Sequence, residues 1–89
     1  MRVNVLYFGV LKDIFGRQRE QMDLEEPATV EEVLEECRVR GVASPELMAS
    51  LAVAVNQEYA RAETPLKEGD EVALLPPVSG GSLTVGIPV

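Results

Sequence analysis

Residues 65–81 read PLKEGDEVALLPPVSGG, and the last apolar strand of the chain lies inside them. The first six residues are rich in turn formers, and EVALL at 71–75 is a short extended run. Pro76 and Pro77 then stop that run, because proline has no N–H to offer a strand ladder. A strand of matching weight stands at the other end of the chain. Residues 2–8, RVNVLYF, alternate, with Val3, Val5 and Tyr7 on one side and Asn4, Leu6 and Phe8 on the other. Their second half is apolar on both sides, which suits an interior strand. Two such strands at opposite ends of a short chain predict that the first and last lie side by side, parallel, at the centre of a sheet.

Between them the pattern supplies one clear helix, at 27–40. Thr29 and Glu32 form a capping box, each side chain serving the other residue's free backbone N–H. Val30, Val33, Leu34 and Cys37 fall at i, i+3, i+4 and i+7, a single apolar stripe. Glu31, Glu32, Glu35 and Glu36 fill the other faces as a solvated surface. Arg38 and Arg40 stand where the helix dipole favours cations, and Gly41 ends the helix. Residues 9–16 (GVLKDIFG) pair Val10 with Ile14 and Leu11 with Phe15 between two glycines, a helix of about two turns. Residues 44–51 (SPELMASL) open with a Ser cap and Pro at the first helical position.

The remaining strands are weaker. Residues 18–24 (QREQMDL) carry Met22 and Leu24 on one side and read as an edge strand. Residues 52–56 (AVAVN) read as a buried strand. Gln57-Glu58 is expected to turn the chain, and Tyr59-Ala60 to begin a short return. The class is α+β, a β-grasp (ubiquitin-like) arrangement: a mixed sheet of about four to five strands wrapped on one main helix plus short helices.

Composition narrows the chemistry. The 89 residues make one small domain, and 46% hydrophobic content must enter a single core. Eight Lys and Arg against fifteen Asp and Glu leave a net charge of −7. That charge repels phosphate backbones and anionic lipid, so nucleic-acid and membrane-surface binding are disfavoured and a basic partner surface is favoured. With no His and one Cys, a Ser-His-Asp triad, a Cys-His dyad, a His-based zinc site and a disulfide scaffold are all excluded. The apolar start is cut short by Lys12 and Asp13 and resembles no signal peptide. Residues 72–89 carry no charge, but Pro76, Pro77 and Pro88 with Gly80, Gly81 and Gly86 argue against a membrane helix. The expectation is a cytoplasmic protein without bound metal or cofactor.

The arm at 76–81 is the sharpest chemical feature. Two prolines launch the chain stiffly outward, and Gly80-Gly81 carries no side chain to obstruct a narrow channel in a partner. A glycine carboxylate ending such an arm can enter another protein's active site, where its adenylate is a mixed anhydride open to attack by sulfur or an amine. An ordinary Pro/Gly turn is the plainer reading of Gly-Gly alone.

The wider pattern adds to it. AVAVNQ at 52–57, PLKEGDEVA at 65–73 and PPVSGG at 76–81, with VLYF at 5–8 before a short helix, resemble the small subunits of molybdopterin synthase, the MoaD family of β-grasp sulfur carriers. The resemblance covers residues 1–81. It implies a sulfur-donating subunit that is not an enzyme as an isolated chain. An E1-like adenylating enzyme would use ATP on the Gly81 carboxylate, and a persulfide sulfur donor would convert it to a thiocarboxylate. The arm, Gly80 included, would then enter the large subunit of the synthase, where cyclic pyranopterin monophosphate receives the sulfur. Leu74, Leu75, Pro76, Pro77, Val78 and Ser79 are the expected partner-binding residues, Leu74 and Leu75 serving core and docking surface together.

One departure matters. The family's carriers end at Gly-Gly, and this chain continues through residues 82–89, SLTVGIPV. While they are attached, Gly81 has no free carboxylate. Three readings stay open: a precursor trimmed by a processing protease, the front of a carrier–synthase fusion, or a β-grasp module that binds or regulates without carrying sulfur. Within the superfamily, a thiazole-pathway carrier and a protein-modifying carrier are alternatives. Cys37 completes the apolar stripe of the main helix, where a free thiol behaves as a small hydrophobe, and is read as structural.

Overall fold

A computed structural model describes residues 1–77; Val78, Ser79, Gly80, Gly81 and residues 82–89 lie outside the described residues. In chain order the elements are β1 (Arg2–Tyr7), α1 (Val10–Phe15), β2 (Arg19–Asp23), α2 (Val30–Arg40), α3 (Pro45–Ala49), β3 (Ala52–Val55), β4 (Glu58–Ala60) and β5 (Glu71–Leu75). They build one five-stranded sheet in the order β2-β1-β5-β3-β4. The first and last strands are neighbours and parallel, Asn4 opposite Glu71 and Tyr7 opposite Leu74, while every other pairing is antiparallel. β5 therefore takes the centre, and the described chain ends two residues beyond it.

Strand alternation sends Val3, Val5, Tyr7, Met22, Val53, Val72 and Leu74 to one face, where Val30, Val33 and Cys37 of α2 meet them. That stripe falls as the spacing predicts, with Leu34 only partly buried. The capping box forms, Thr29 N–H donating to Glu32 Oε1 at 2.7 Å, and Gly41 closes the helix in the left-handed region at φ 70°. In α1 only Leu11 is fully buried. Val10 stays exposed, and Phe15 stacks on Tyr7 with ring centroids 4.5 Å apart.

The hairpin between β3 and β4 corrects the expected turn. Asn56 and Gln57, not Gln57 and Glu58, are its central residues, with φ 51° and 72°, the pair of positive values that a two-residue hairpin demands. Asn56 then ties the hairpin to the loop before β5. Its Nδ2 donates to the buried Asp70 carboxylate at 3.0 Å, and its Oδ1 accepts the Glu71 N–H at 3.0 Å. Asp70 also accepts the Lys67 N–H at 2.8 Å, so one carboxylate sets the entry into the central strand.

A half-buried ion pair joins the end of α2 to the edge strand, the exposed Arg40 placing Nη2 2.6 Å from Oε2 of the buried Glu20 side chain. Burial pushes the Glu20 carboxyl up, but Arg40 outweighs it and holds the group below the usual carboxylate range. Asp23, bonded to Arg2, and Glu32, bonded to Thr29, shift the same way. A carboxyl whose folded value is depressed stabilises the fold above its unfolded value, and that contribution vanishes as pH falls through the folded value. Urea midpoints measured across acid pH are expected to fall below the usual carboxylate range. In Glu20→Gln the neutral-pH midpoint should be lower and the acid slope shallower; an unchanged slope would remove Glu20 from the acid response.

Candidate functional site: the end of the central strand and the outer sheet face

The site is set by strand parity. In β5, Val72 and Leu74 point into the core and are fully buried, which turns Glu71, Ala73 and Leu75 to the opposite face. Register then aligns a row across four strands, Leu6 of β1 opposite Ala73, Ala73 opposite Ala54 of β3, and Ala54 opposite Tyr59 of β4. Two alanines at the middle of that row leave the sheet face low between larger neighbours. The result is a hollow of about 460 Å³ lined by Leu6, Phe8, Tyr59 and Leu75 around the alanines, with Gln57 and Glu71 at its edge. Phe8 is 44% and Tyr59 83% exposed, so large aromatic surface faces water among the aliphatic residues.

The arm starts beside this hollow. Phe8 N–H donates to the Leu74 carbonyl at 3.2 Å, and Pro76 follows directly, packed so close to Gly9 that a Cβ there would stand 3.0 Å from Pro76 Cγ. Pro77 is exposed. The end of the central strand thus delivers the Pro-Pro segment at the border of an apolar face that is unpartnered among the described residues.

Of the residues expected from sequence, Leu75, Pro76 and Pro77 come together here. Leu74 does not: the parity that exposes Leu75 buries Leu74 completely, so it serves the core alone. Val78, Ser79, Gly80 and Gly81 lie outside the described residues. Sequence reading missed Leu6, Phe8, Ala54, Tyr59 and Ala73 as members of one surface. Its available signal was the two-sided apolarity of residues 5–8, which explains an interior strand equally well.

Cys37 is fully buried against the sheet, and burial pushes its thiol up, away from the nucleophilic thiolate. Cys37→Ala is expected to cost about 1 kcal/mol of stability, as for the loss of one buried heavy atom. It should leave any chemistry at the arm unchanged in a single-turnover assay; a complete loss would assign the thiol a chemical role. A second hollow, about 660 Å³, lies between Glu25, Glu26, Glu31, Glu32, Glu35 and Glu36. Among the described residues no set of three or more acidic or Cys side chains is gathered to hold a metal ion, and no helix is long and apolar enough to cross a membrane.

The sheet order, the central parallel pair and the single long helix packed on one face define a ubiquitin-like β-grasp domain. The chain belongs to the ThiS family, whose family model matches residues 5–81. It is 36% identical over 83 residues to the molybdopterin synthase sulfur carrier subunit of Chlamydomonas reinhardtii, covering 91% of this chain and all of that one. It is 32% identical over 82 residues to the same subunit of Mycobacterium tuberculosis, covering 91% and 99%. Among solved structures, SAMP1 of Haloferax volcanii matches with a TM-score of 0.79 at 26% identity, covering 91% of this chain and 100% of that one. A complex of subunits 1 and 2 of molybdopterin-converting factor from Helicobacter pylori contains a chain that matches at 0.68 and 29% identity, again over 91% and 100%.

Proposed function

We propose that this protein is the sulfur carrier of a molybdopterin synthase, a donor subunit whose catalytic side chains belong to its partners. The observation that carries the reading is the placement of the Pro76-Pro77 launch point at the end of the central strand, beside an apolar face. A carrier needs a reactive terminus held away from its own body and a surface for the enzyme that uses it; Pro76-Pro77, from which that terminus would be launched, stands next to such a surface. The likeness to named sulfur carrier subunits supplies the chemistry.

In this reading a protease first removes residues 82–89 and frees the Gly81 carboxylate. An E1-like enzyme joins that carboxylate to AMP, releasing pyrophosphate from ATP. The terminal sulfur of a persulfide donor displaces AMP to give an acyl disulfide, and a thiol reductant cleaves its S–S bond, becoming disulfide-linked to the donor sulfur and releasing the thiocarboxylate. The Gly80-Gly81 arm carries that thiocarboxylate into the large subunit, where a cyclic pyranopterin phosphate accepts the sulfur. ATP serves the activating enzyme, and no cofactor is bound by the carrier. The Helicobacter pylori complex of subunits 1 and 2 supports a large-subunit partner. In this reading that partner docks on the outer face through Leu75, Pro76 and Pro77. All of these steps belong to the cytoplasm.

Intact mass of the protein from its own cells tests the reading. A chain ending at Gly81, partly carrying sulfur in place of one oxygen, is the expected result. A population ending uniformly at Val89 would overturn it. The likeness to an archaeal modifier protein favours one second reading, attachment to protein lysines through the same Gly81 carboxylate, which would appear as conjugates in the same preparation.

A further inference from the structure

We propose that the free edge of β2 pairs with the same edge of a second copy of this chain, joining two sheets into one. β2 ends the sheet, and its ladder with β1 fixes which of its backbone groups face outward. Leu24 N–H donates to the Met1 carbonyl at 2.8 Å, and the Met1 amino group donates to the Leu24 carbonyl at 2.7 Å. At the other end Tyr7 N–H donates to the Gln18 carbonyl at 2.8 Å. Bonded pairs alternate in an antiparallel ladder, so Val3 with Met22 and Val5 with Glu20 are the bonded pairs in between. Arg19, Gln21 and Asp23 therefore turn their N–H and C=O away from β1. Among the described residues no backbone group meets them there.

Charges on an open edge usually deter pairing. Here their order favours one partner. The strand reads Arg19-Glu20-Gln21-Met22-Asp23. Turned about a two-fold axis at Gln21 it meets itself antiparallel, with Gln21 opposite Gln21, Arg19 opposite Asp23 and, beyond the strand ends, Arg17 opposite Glu25. Gln21, Arg19 and Asp23 are the residues whose outer N–H and C=O are free, so each of these pairs exchanges both backbone bonds. Unlike charges in cross-strand pairs stabilise a sheet, and like charges destabilise it. A slip of two residues either way leaves Arg17 or Arg19 without an acid opposite. The net charge of −7 lies mostly elsewhere, because Arg2, Arg17, Arg19 and Arg40 stand on or against this strand and offset Glu20, Asp23, Glu25 and Glu71. With the axis normal to the sheet, both α2 helices lie on one side of it. Val39 and Val42, exposed on either side of Arg40, belong to the end of α2 that Arg40 ties to this edge and add apolar surface near the seam. β1 separates the edge from β5, so pairing leaves Pro76 and Pro77 of each copy open. Pairing at this edge is independent of the carrier reading.

Sedimentation equilibrium and amide hydrogen exchange of the full chain, each across a range of concentrations, test it. The expected result is a monomer–dimer equilibrium in which exchange at Arg19, Gln21 and Asp23 slows as the dimer fills. Glu20 and Met22, bonded to β1, should be slow throughout. Gln21→Pro removes the central outward N–H and none of the bonds to β1, a place where an edge strand tolerates proline. It should weaken the dimer at least tenfold. Arg19→Asp and Asp23→Arg should each do the same, and the two together should recover most of the loss, since the cross-strand pair returns with its signs exchanged. Thermal melts of each variant show that the monomer stays folded. A monomer at every concentration would overturn the proposal, as would slow exchange at the three outward amides within a monomer, the mark of a segment of the same chain on the edge. A dimer left intact by Gln21→Pro and by both single charge reversals would place the contact elsewhere and overturn it as well.

Discussion

A chain ending at Gly81 is expected to accept sulfur and deliver it, and the same chain ending at Gly80 is expected to lose delivery by at least about 100-fold. Both chains end in a glycine carboxylate, so the chemistry of adenylation is the same in each and only reach differs. One extended residue is worth about 3.3–3.6 Å. Misplacement of a reacting group by about 1 Å already costs about 100-fold in rate. Stability should not change, because among the described residues the buried core ends at Leu74, well before the glycines. Single-turnover sulfur transfer, followed by intact mass beside a thermal melt, reads both quantities. Equal transfer from the two chains would show that arm length does not set delivery. The 89-residue chain should not be adenylated at Gly81, whose carbonyl is there an amide.

Much of the fold was legible because its signals are local. The capping box at Thr29 and Glu32, the stripe of Val30, Val33 and Cys37 and the stop at Gly41 each depend on neighbours within a turn or two. The parallel pairing of β1 and β5 followed from the two strongest apolar runs competing for the centre of one sheet. The turn at Asn56-Gln57 was less legible: its positive φ values show only in the backbone, and the dipeptide lacks the glycine that usually advertises such a hairpin. The ion pair of Arg40 with Glu20 was invisible for a different reason. Twenty positions separate the partners, and each reads alone as an ordinary surface charge. The outer sheet face is the fullest example, since Leu6, Ala73, Ala54 and Tyr59 become one row only after strand order and register are known. The arm itself was legible as a motif, and its neighbourhood was not.

Leu74 and Leu75 turn that difference into a measurement, because two identical adjacent side chains should fail in opposite ways. Leu74 is fully buried between β1 and β3, and truncation to Ala leaves a cavity that costs about 2–5 kcal/mol. A small domain holds about 5–15 kcal/mol in total, so Leu74→Ala should lower the melting temperature by more than about 10 °C. Leu75 is only partly buried and lies on the outer face, not among the residues packed against the core. Leu75→Asp should shift stability by no more than about 1 kcal/mol, within the usual reach of a surface change. In a chain ending at Gly81 it should weaken binding to the large subunit by about 30-fold or more, the loss of an apolar anchor at the centre of an interface. Leu74→Ala, measured well below its melting temperature, should bind nearly as the parent does. Denaturation and calorimetric titration of the two variants side by side give four numbers, and the pairing of large with small effects is what strand parity requires. A Leu75→Asp chain that docks normally would move the interface off the outer face, leaving the Pro-Pro arm to recruit its partner alone.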